Sequence, residues 1–468
     1  MNLRRIRTAR TARTDGTSRT GPVEPAGNSG ADARPGPEPA VPPPGGTTPG
    51  GTAGEDRAGV SRRRLLGTAG AAGAAGLAVG AGGGLLAGPV GRATPGAPGD
   101  TTPLSSVGAA RVDFHGAHQP GILGAARAHA ELLAFDLLPA AGRGEAAALL
   151  RRWSRAAGAM MAGEAPDADN GIAGGTGPSG LAVTFGFGHD FFDAVGLVDA
   201  RPRALDPLPE FSADALDPER SGGHLWIQVE ADDPTVVFHA VRTLQRAAAD
   251  TARVRHRMAG FNRAPGAASG ESGPRNLMGQ IDGTNNLRPE QEDFADRVFV
   301  PADGEPAWMA GGSYAVVRRI RMLLDAWEEQ PLDARDRVLG RRRVDGAPLT
   351  GGGETTPVDL GAVDERGRPV IPADAHVRVS APESNGGAAM LRRSYSYHDG
   401  FAEDGSPDAG LLFVCWQADP MLAFVPVQRK LDRGDALSAF IRHEASGLFA
   451  VPGGAEPGGY PGQRLLEG

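Results

Sequence analysis

The chain has 468 residues, with 70 glycines, 39 prolines, one cysteine and a formal net charge of -8. The lone thiol, Cys415, excludes an intrachain disulfide framework and any cysteine-based zinc or iron–sulfur site. The negative balance argues against a protein that coats nucleic acid, and the body of the chain holds no apolar run of about 20 residues that would make it an integral membrane protein.

Residues 1–60 are glycine, proline, threonine, alanine and arginine with almost no large apolar side chains. Such a segment buries too little surface to offset its ordering entropy, so a disordered leader is expected. Ser61-Arg62-Arg63-Arg64-Leu65-Leu66 then precedes an uncharged Ala/Gly/Leu/Val stretch from Gly67 to Val90. Positive charge, a weakly apolar run and small residues are the layout of an export signal, here 61–97 with cleavage near Ala93 or Ala97. Paired arginines directly before the apolar run point to the twin-arginine route. A membrane-anchoring helix is the competing reading, and the glycine density weakens it. The expectation is a folded protein handed to the twin-arginine export machinery and delivered outside the cell or to the envelope. Stable membrane insertion after signal cleavage is not expected.

The remainder reads as two α+β halves, 98–300 and 301–468. Ala125 to Leu138 predicts an amphipathic helix, and Leu181 to Gly188 alternates in strand period. Leu225 to Ala231 is a strand-like run. Asp233 then stands where an N-cap belongs and Pro234 at the first helical position, with Val236, Val237, Ala240, Val241 and Leu244 at helical spacing. Leu412 to Gln417 repeats the pattern, with Asp419-Pro420 in the same place, although Pro426 predicts a later helix start or a kink. The recurrence suggests a duplicated unit. Phe261 to Pro274 reads as a loop. Ser313 to Arg321 predicts a strand running into a helix over Met322 to Glu329. Ile371 to Ser380, alternating around His376, predicts a strand, as do Arg392 to His398 and Leu411 to Gln417.

Three places offer chemistry. Gly279 to Asn286 puts Asp282 on a glycine-flanked loop where backbone can approach a flat ligand; taken alone, it is a turn. His376 is either a core histidine or a pocket-facing ring. Arg392 and Arg393 stand at a strand start, where arginines are usually solvated. Cys-x-x-Cys-His, a P-loop, His-Glu-x-x-His and Gly-x-Ser-x-Gly are all absent, which excludes covalent haem attachment and weakens nucleotide, zinc-protease and hydrolase readings.

In combination these residues say more. Gly279-x-x-Asp282-Gly283, then His376 within Asp374-Ala375-His376-Val377-Arg378, then Leu391-Arg392-Arg393-Ser394-Tyr395, resembles the dye-decolourising peroxidase family. Phe114-His115-Gly116-Ala117-His118-Gln119-Pro120-Gly121 and Gly311-Gly312-Ser313-Tyr314-Ala315-Val316-Val317-Arg318 extend the likeness, which runs from Phe114 to Pro452.

The resemblance implies a pair of ferredoxin-like α+β halves, duplicated antiparallel sheets with helices, enclosing a haem pocket. It implies one haem b per chain, with His376 as the axial iron ligand and Asp435 or Asp432 as the carboxylate behind it. Asp282 matches the distal acid–base residue and Arg392 the distal arginine. Gly283, Thr284 and Asn285, with Ala381, Pro382 and Glu383, match the haem edge, although an acid sits awkwardly beside propionates. Arg378 and Arg321 are candidates for the propionates themselves. The implied function is a hydrogen-peroxide-dependent oxidation of dyes, phenols or other reducing substrates through a ferryl intermediate. A deferrochelatase that frees iron from haem, and a non-enzymatic haem-binding protein, are the alternatives. An aspartate base implies an acidic optimum, since free Asp titrates near pH ~4. Tyr395, Tyr397, Trp226, Trp308 and Trp416 form the pool of aromatics through which electrons from bulky dyes would hop. A homo-oligomer is compatible with the sequence.

Overall fold

The computed structural model describes residues 105–267 and 273–468. The expected leader and export signal fall outside the described residues. Nine strands join one antiparallel network. They are β1 His129–Leu137, β2 Ala182–Gly188, β3 Leu225–Ala231, β4 Ala252–Phe261, β5 Ser313–Met322, β6 Leu391–Arg392, β7 Tyr395–Phe401, β8 Pro407–Gln417 and β9 Ile441–Val451. Helix α1 (Arg143–Met161) links β1 to β2, and α2 (Pro234–Ala248) links β3 to β4. In the second half α3 (His376–Ser380) lies between β5 and β6, and α4 (Phe424–Gly434) between β8 and β9.

The strand order is β2-β3-β1-β4 in the first half and β7-β8-β5-β9 in the second, with β6 attached to β8. Both are the same order of a four-stranded ferredoxin-like unit, so the expected duplication is present in the topology. The halves meet along two short seams. Phe187 pairs with Ala450 and Gly188 with Phe449, while Phe261 pairs with Ser396. Side chains do most of the joining. Leu132, Trp226 and Met258 from the first sheet pack with Val317, Leu412, Trp416 and Phe449 from the second in one buried cluster. The rings of Trp226 and Phe449 stack at 5.3 Å.

The repeated Asp-Pro signal works differently in the two copies. Asp233 caps α2 through the amides of Thr235 and Val236, with Pro234 opening the helix where its missing N–H costs nothing. The Asp419 side chain takes only the Met421 amide, and α4 begins five residues after it, at Phe424. Pro426 then falls within the first turn, which needs no N–H donor from it.

Three expectations are corrected. The stretch Ala125–Leu138 holds strand β1 rather than a helix. It lies between β3 and β4 with most side chains buried, so both faces are apolar and its period-two signature is erased. The run Ile371–Ser380 is a turn followed by α3, not a strand. The expected strand from Arg392 to His398 is interrupted: β6 ends at Arg392 and β7 begins at Tyr395. Of the aromatic pool, Trp226, Trp416, Tyr395 and Tyr397 are buried core residues. Among the described residues no helix is long and apolar enough to cross a membrane.

Candidate functional site

A cavity of about 330 Å³ lies between the sheet face of β5 and β8 and helix α4, with residues between Asn276 and Gln291 also on its lining. Ile320, Met322, Leu411 and Phe413 form its sheet wall, and Phe424, Val427 and Leu431 its helical wall. The cavity gathers Asp282, His376 and Arg392, which are far apart in sequence, onto its lining.

His376 is the first residue of α3, a short helix that packs against α4. Its Nδ1 lies 2.7 Å from the Asp435 carboxylate. Asp435 ends α4; its side chain is 2% exposed, and its other oxygen accepts the Leu437 amide at 3.0 Å as the cap of the next turn. Burial pulls the imidazole's proton affinity down, and the charge and hydrogen bond of Asp435 more than offset it, so the pKa lies above the ordinary histidine value. Nε2 has no hydrogen-bond partner among the described residues. Asp432, the other candidate, is committed elsewhere. It accepts the amides of Ser212 and Ala213 and the Ser212 hydroxyl. Burial would raise its pKa, but these bonds outweigh it and hold the carboxyl below the ordinary value.

Asp282 sits between Gly279 and Gly283, whose φ angles of 80° and 81° need glycine. Its carboxylate lies 3.7 Å from the Arg392 guanidinium. A residue that the sequence reading missed fixes this pairing. The Asn286 side chain donates to the Arg392 carbonyl at 2.8 Å and accepts from the Arg392 amide at 2.9 Å. A primary amide that grips both backbone groups of one residue locks the loop to β6. Neighbouring Arg393 turns the other way. It is buried, donates to Glu230 at 2.9 Å and to the Ala125 carbonyl at 2.8 Å, and so ties the second half to the first. Tyr395 joins this cluster by donating to Glu230, and burial pushes its phenol pKa well up.

The expected haem-edge residues divide. Gly283, Thr284, Asn285 and Pro382 line the cavity, whereas Ala381 and Glu383 do not. Ala381 is buried behind the wall, and Glu383 is exposed on the outside. The propionate candidates are corrected too. Neither Arg378 nor Arg321 lines the cavity. The Arg378 guanidinium is consumed by the carbonyls of Leu360, Ile371 and Pro372. Arg321 donates to the Ser406 hydroxyl at 2.7 Å. The arginines on the lining besides Arg392 are Arg318 and Arg341. Burial lowers the pKa of Arg341, Glu354 opposes this, and the nearby positive charge of Arg392 adds to it.

This donor set fits haem. A bare metal ion would need three or four protein ligands. Among the described residues no three such ligand atoms converge on this lining; it holds two imidazoles, His443 and His376, and in His376 Asp435 takes one nitrogen and leaves Nε2 with its lone pair, within broad apolar walls. A porphyrin supplies its own four nitrogens and asks the protein for one axial ligand and apolar contact. His376 would hold the iron.

Two family descriptions match the chain: Dyp-type peroxidase, N-terminal, over residues 119–262, and Dyp-type peroxidase, C-terminal, over residues 273–456. A dye-decolorizing peroxidase of Thermobifida fusca is 47% identical over 431 residues, covering 88% of this chain and 99% of the relative. A deferrochelatase of Escherichia coli K12 is 36% identical over 425 residues, covering 87% and 97%. The crystal structure of a DyP-type peroxidase from Streptomyces coelicolor is 62% identical and superposes with a TM-score of 0.77, over 78% of this chain and all of that one. A DyP-type peroxidase structure from Cellulomonas bogoriensis is 41% identical, with a TM-score of 0.75 over 78% of this chain. From site to fold to sequence, the chain belongs to the Dyp-type peroxidase family and is a haem peroxidase.

Proposed function

We propose that the cavity reduces hydrogen peroxide with Asp282 and Arg392 as the distal pair and His376, backed by Asp435, as the iron ligand. The observation that carries this reading is the convergence of an Asp–Arg pair 3.7 Å apart and an imidazole with a free Nε2 on one apolar cavity. Bound haem supplies the iron that accepts peroxide oxygen and stores the oxidising equivalents. The Asp282 carboxylate takes the proton from the inner peroxide oxygen and returns it to the outer one, which leaves as water. The Arg392 guanidinium stabilises the negative charge that develops on the departing oxygen. Asn286 holds the Arg392 backbone so that this charge does not wander. Asp435 accepts the Nδ1 proton of His376, fixes the tautomer that leaves Nε2 free, and makes that nitrogen more basic.

Dyes, phenols and other aromatic reductants are the co-substrates of this reading. The experiment is rapid mixing of haem-loaded protein with peroxide: the Soret band of the parent shifts, and that of Asp282→Asn shifts far more slowly. Similarity to deferrochelatases supports a second reading, iron release from haem. Incubation with haem and a search for metal-free porphyrin separates the two. Export by the twin-arginine route rests on Arg62, Arg63 and the run behind them. Replacing both arginines with lysine and following the protein between cell and medium tests it.

A further inference from the structure

A second cavity, of about 510 Å³, lies outside the haem site and opens at the surface. Leu208, Glu210 and Leu216 line it, with Glu210 and Leu216 exposed. Its inner lining includes Phe211 and the Asp214–Arg318 ion pair. Arg318 is the one described residue that lines both cavities. Its side chain is 1% exposed, and its Nε has no hydrogen-bond partner. The guanidinium carbon lies 5.6 Å from the ring centroid of Phe211, on the second cavity, and 6.0 Å from that of Phe424, on the haem cavity. The two rings are 6.2 Å apart. The wall between the cavities is therefore one guanidinium flanked by two benzene rings.

We propose that this second cavity binds small neutral or cationic aromatic reductants, which pass electrons through the Phe211–Arg318–Phe424 wall without entering the haem cavity. The proposal rests on the peroxidase reading and names a substrate class for it. The size and the apolar Leu208, Phe211 and Leu216 suit a single aromatic ring. The charge selects its sign. Asp190, Glu210 and Asp214 face the cavity against Arg318, which Asp214 already pairs, and His189, which Asp190 pairs at 2.8 Å. The unpaired excess is negative, so an arylammonium is attracted and a sulfonated dye repelled. In each transfer the aromatic donor loses one electron to the peroxide-oxidised enzyme and one proton to water. Two donors supply the two electrons and two protons that turn one hydrogen peroxide into two waters.

The test uses the haem-loaded protein and N,N-dimethyl-p-phenylenediamine at a pH where the diamine is a cation. Leu208→Trp and Leu216→Trp plug the cavity from its lining, and Glu210→Lys reverses a rim charge. We expect kcat/KM for the diamine to fall about tenfold or more in the tryptophan variants. In Glu210→Lys its KM should rise about fivefold, the effect of one screened charge contact. The peroxide-driven Soret shift should stay unchanged in all three, and the turnover of a disulfonated anthraquinone unchanged in both tryptophan variants. A binding readout accompanies these: ferric enzyme should broaden the diamine's proton resonances in the parent and not in Leu208→Trp. Unchanged diamine oxidation in the variants, with the Soret shift intact, overturns the proposal. If a tryptophan variant loses haem, Glu210→Lys decides. Failure of the parent's Soret band to respond to peroxide overturns the peroxidase reading instead, and this proposal with it.

Discussion

Replacing Asp435 with asparagine removes its charge. Asn keeps the size of the side chain, and its single carbonyl oxygen can still accept the hydrogen bond from His376; the NH2 group then stands where the other oxygen accepted the Leu437 amide, so that cap bond is lost at a cost of about 1 kcal/mol of stability. What changes is the bond of 2.7 Å, from charge-assisted to neutral. Bonds to a charged group are worth about 1.5–3 kcal/mol against about 1 kcal/mol for a neutral one, so the loss is about 1–2 kcal/mol. The carboxylate, 2% exposed, favours the more positive iron, so its removal favours the ferrous state. At about 59 mV per tenfold change in a one-electron equilibrium, the ferric/ferrous potential should rise by roughly 40–90 mV. Spectroelectrochemical titration of the holoenzyme measures this directly. A potential within about 10 mV of the parent would refute the claim that Asp435 tunes the iron through His376.

Four further outcomes follow from the same geometry. Asp282→Asn should slow the peroxide reaction by a factor on the order of 10²–10⁴ while leaving the Soret spectrum of the resting enzyme intact, because the proton relay is lost and the cavity is not. Asn286→Leu removes both bonds that hold Arg392, worth about 2 kcal/mol together; we expect about a 30-fold drop in the peroxide rate with unchanged haem content, read by stopped flow. His443 is buried and its pKa is pushed down to about 3, first by burial and then by Arg318, with Asp432 opposing. Its folded pKa lies below the unfolded value, so the unfolded chain binds the proton first. Stability is full above about pH 6.5 and is lost as pH falls below it, by up to about 1.4 kcal/mol per pH unit. Urea titrations from pH 7 to 4 should show a shallower decline in His443→Gln than in the parent. Cys415 is fully buried and burial raises its thiol pKa, so thiol reagents should label it only after denaturation.

The repeated unit was legible because capping chemistry is local: Asp233-Pro234 and Asp419-Pro420 mark the same junction in both halves. Strand β1 was not, because a central strand covered on both faces loses the alternation that distinguishes it from a helix. Arg392 and Arg393 are indistinguishable as letters. Adjacent residues of an extended chain point to opposite sides, and only the fold decides that Arg392 faces the cavity while Arg393 meets Glu230. Arg321 and Arg378 failed for a related reason. Guanidinium chemistry suits a carboxylate equally well anywhere, and carbonyls and a serine reached them first. The choice between Asp435 and Asp432 needed the end of α4: the last turn of the helix aims Asp432 at Ser212, and the residue that ends it aims Asp435 at His376. Asn286 gave no signal at all, since an amide that holds a distant backbone looks like any loop asparagine.

The duplicated halves have unequal interiors. Under α1 and α2 the first sheet is filled by Phe135, Trp153, Phe185 and Phe187, a solid aromatic plug. In the second half the equivalent room, between β5, β8 and α4, is hollow. One copy thus carries its own ballast and the other has been emptied to receive a guest, so the cofactor is also the missing filling of its domain. Stripping it should soften the second half while the first stays rigid.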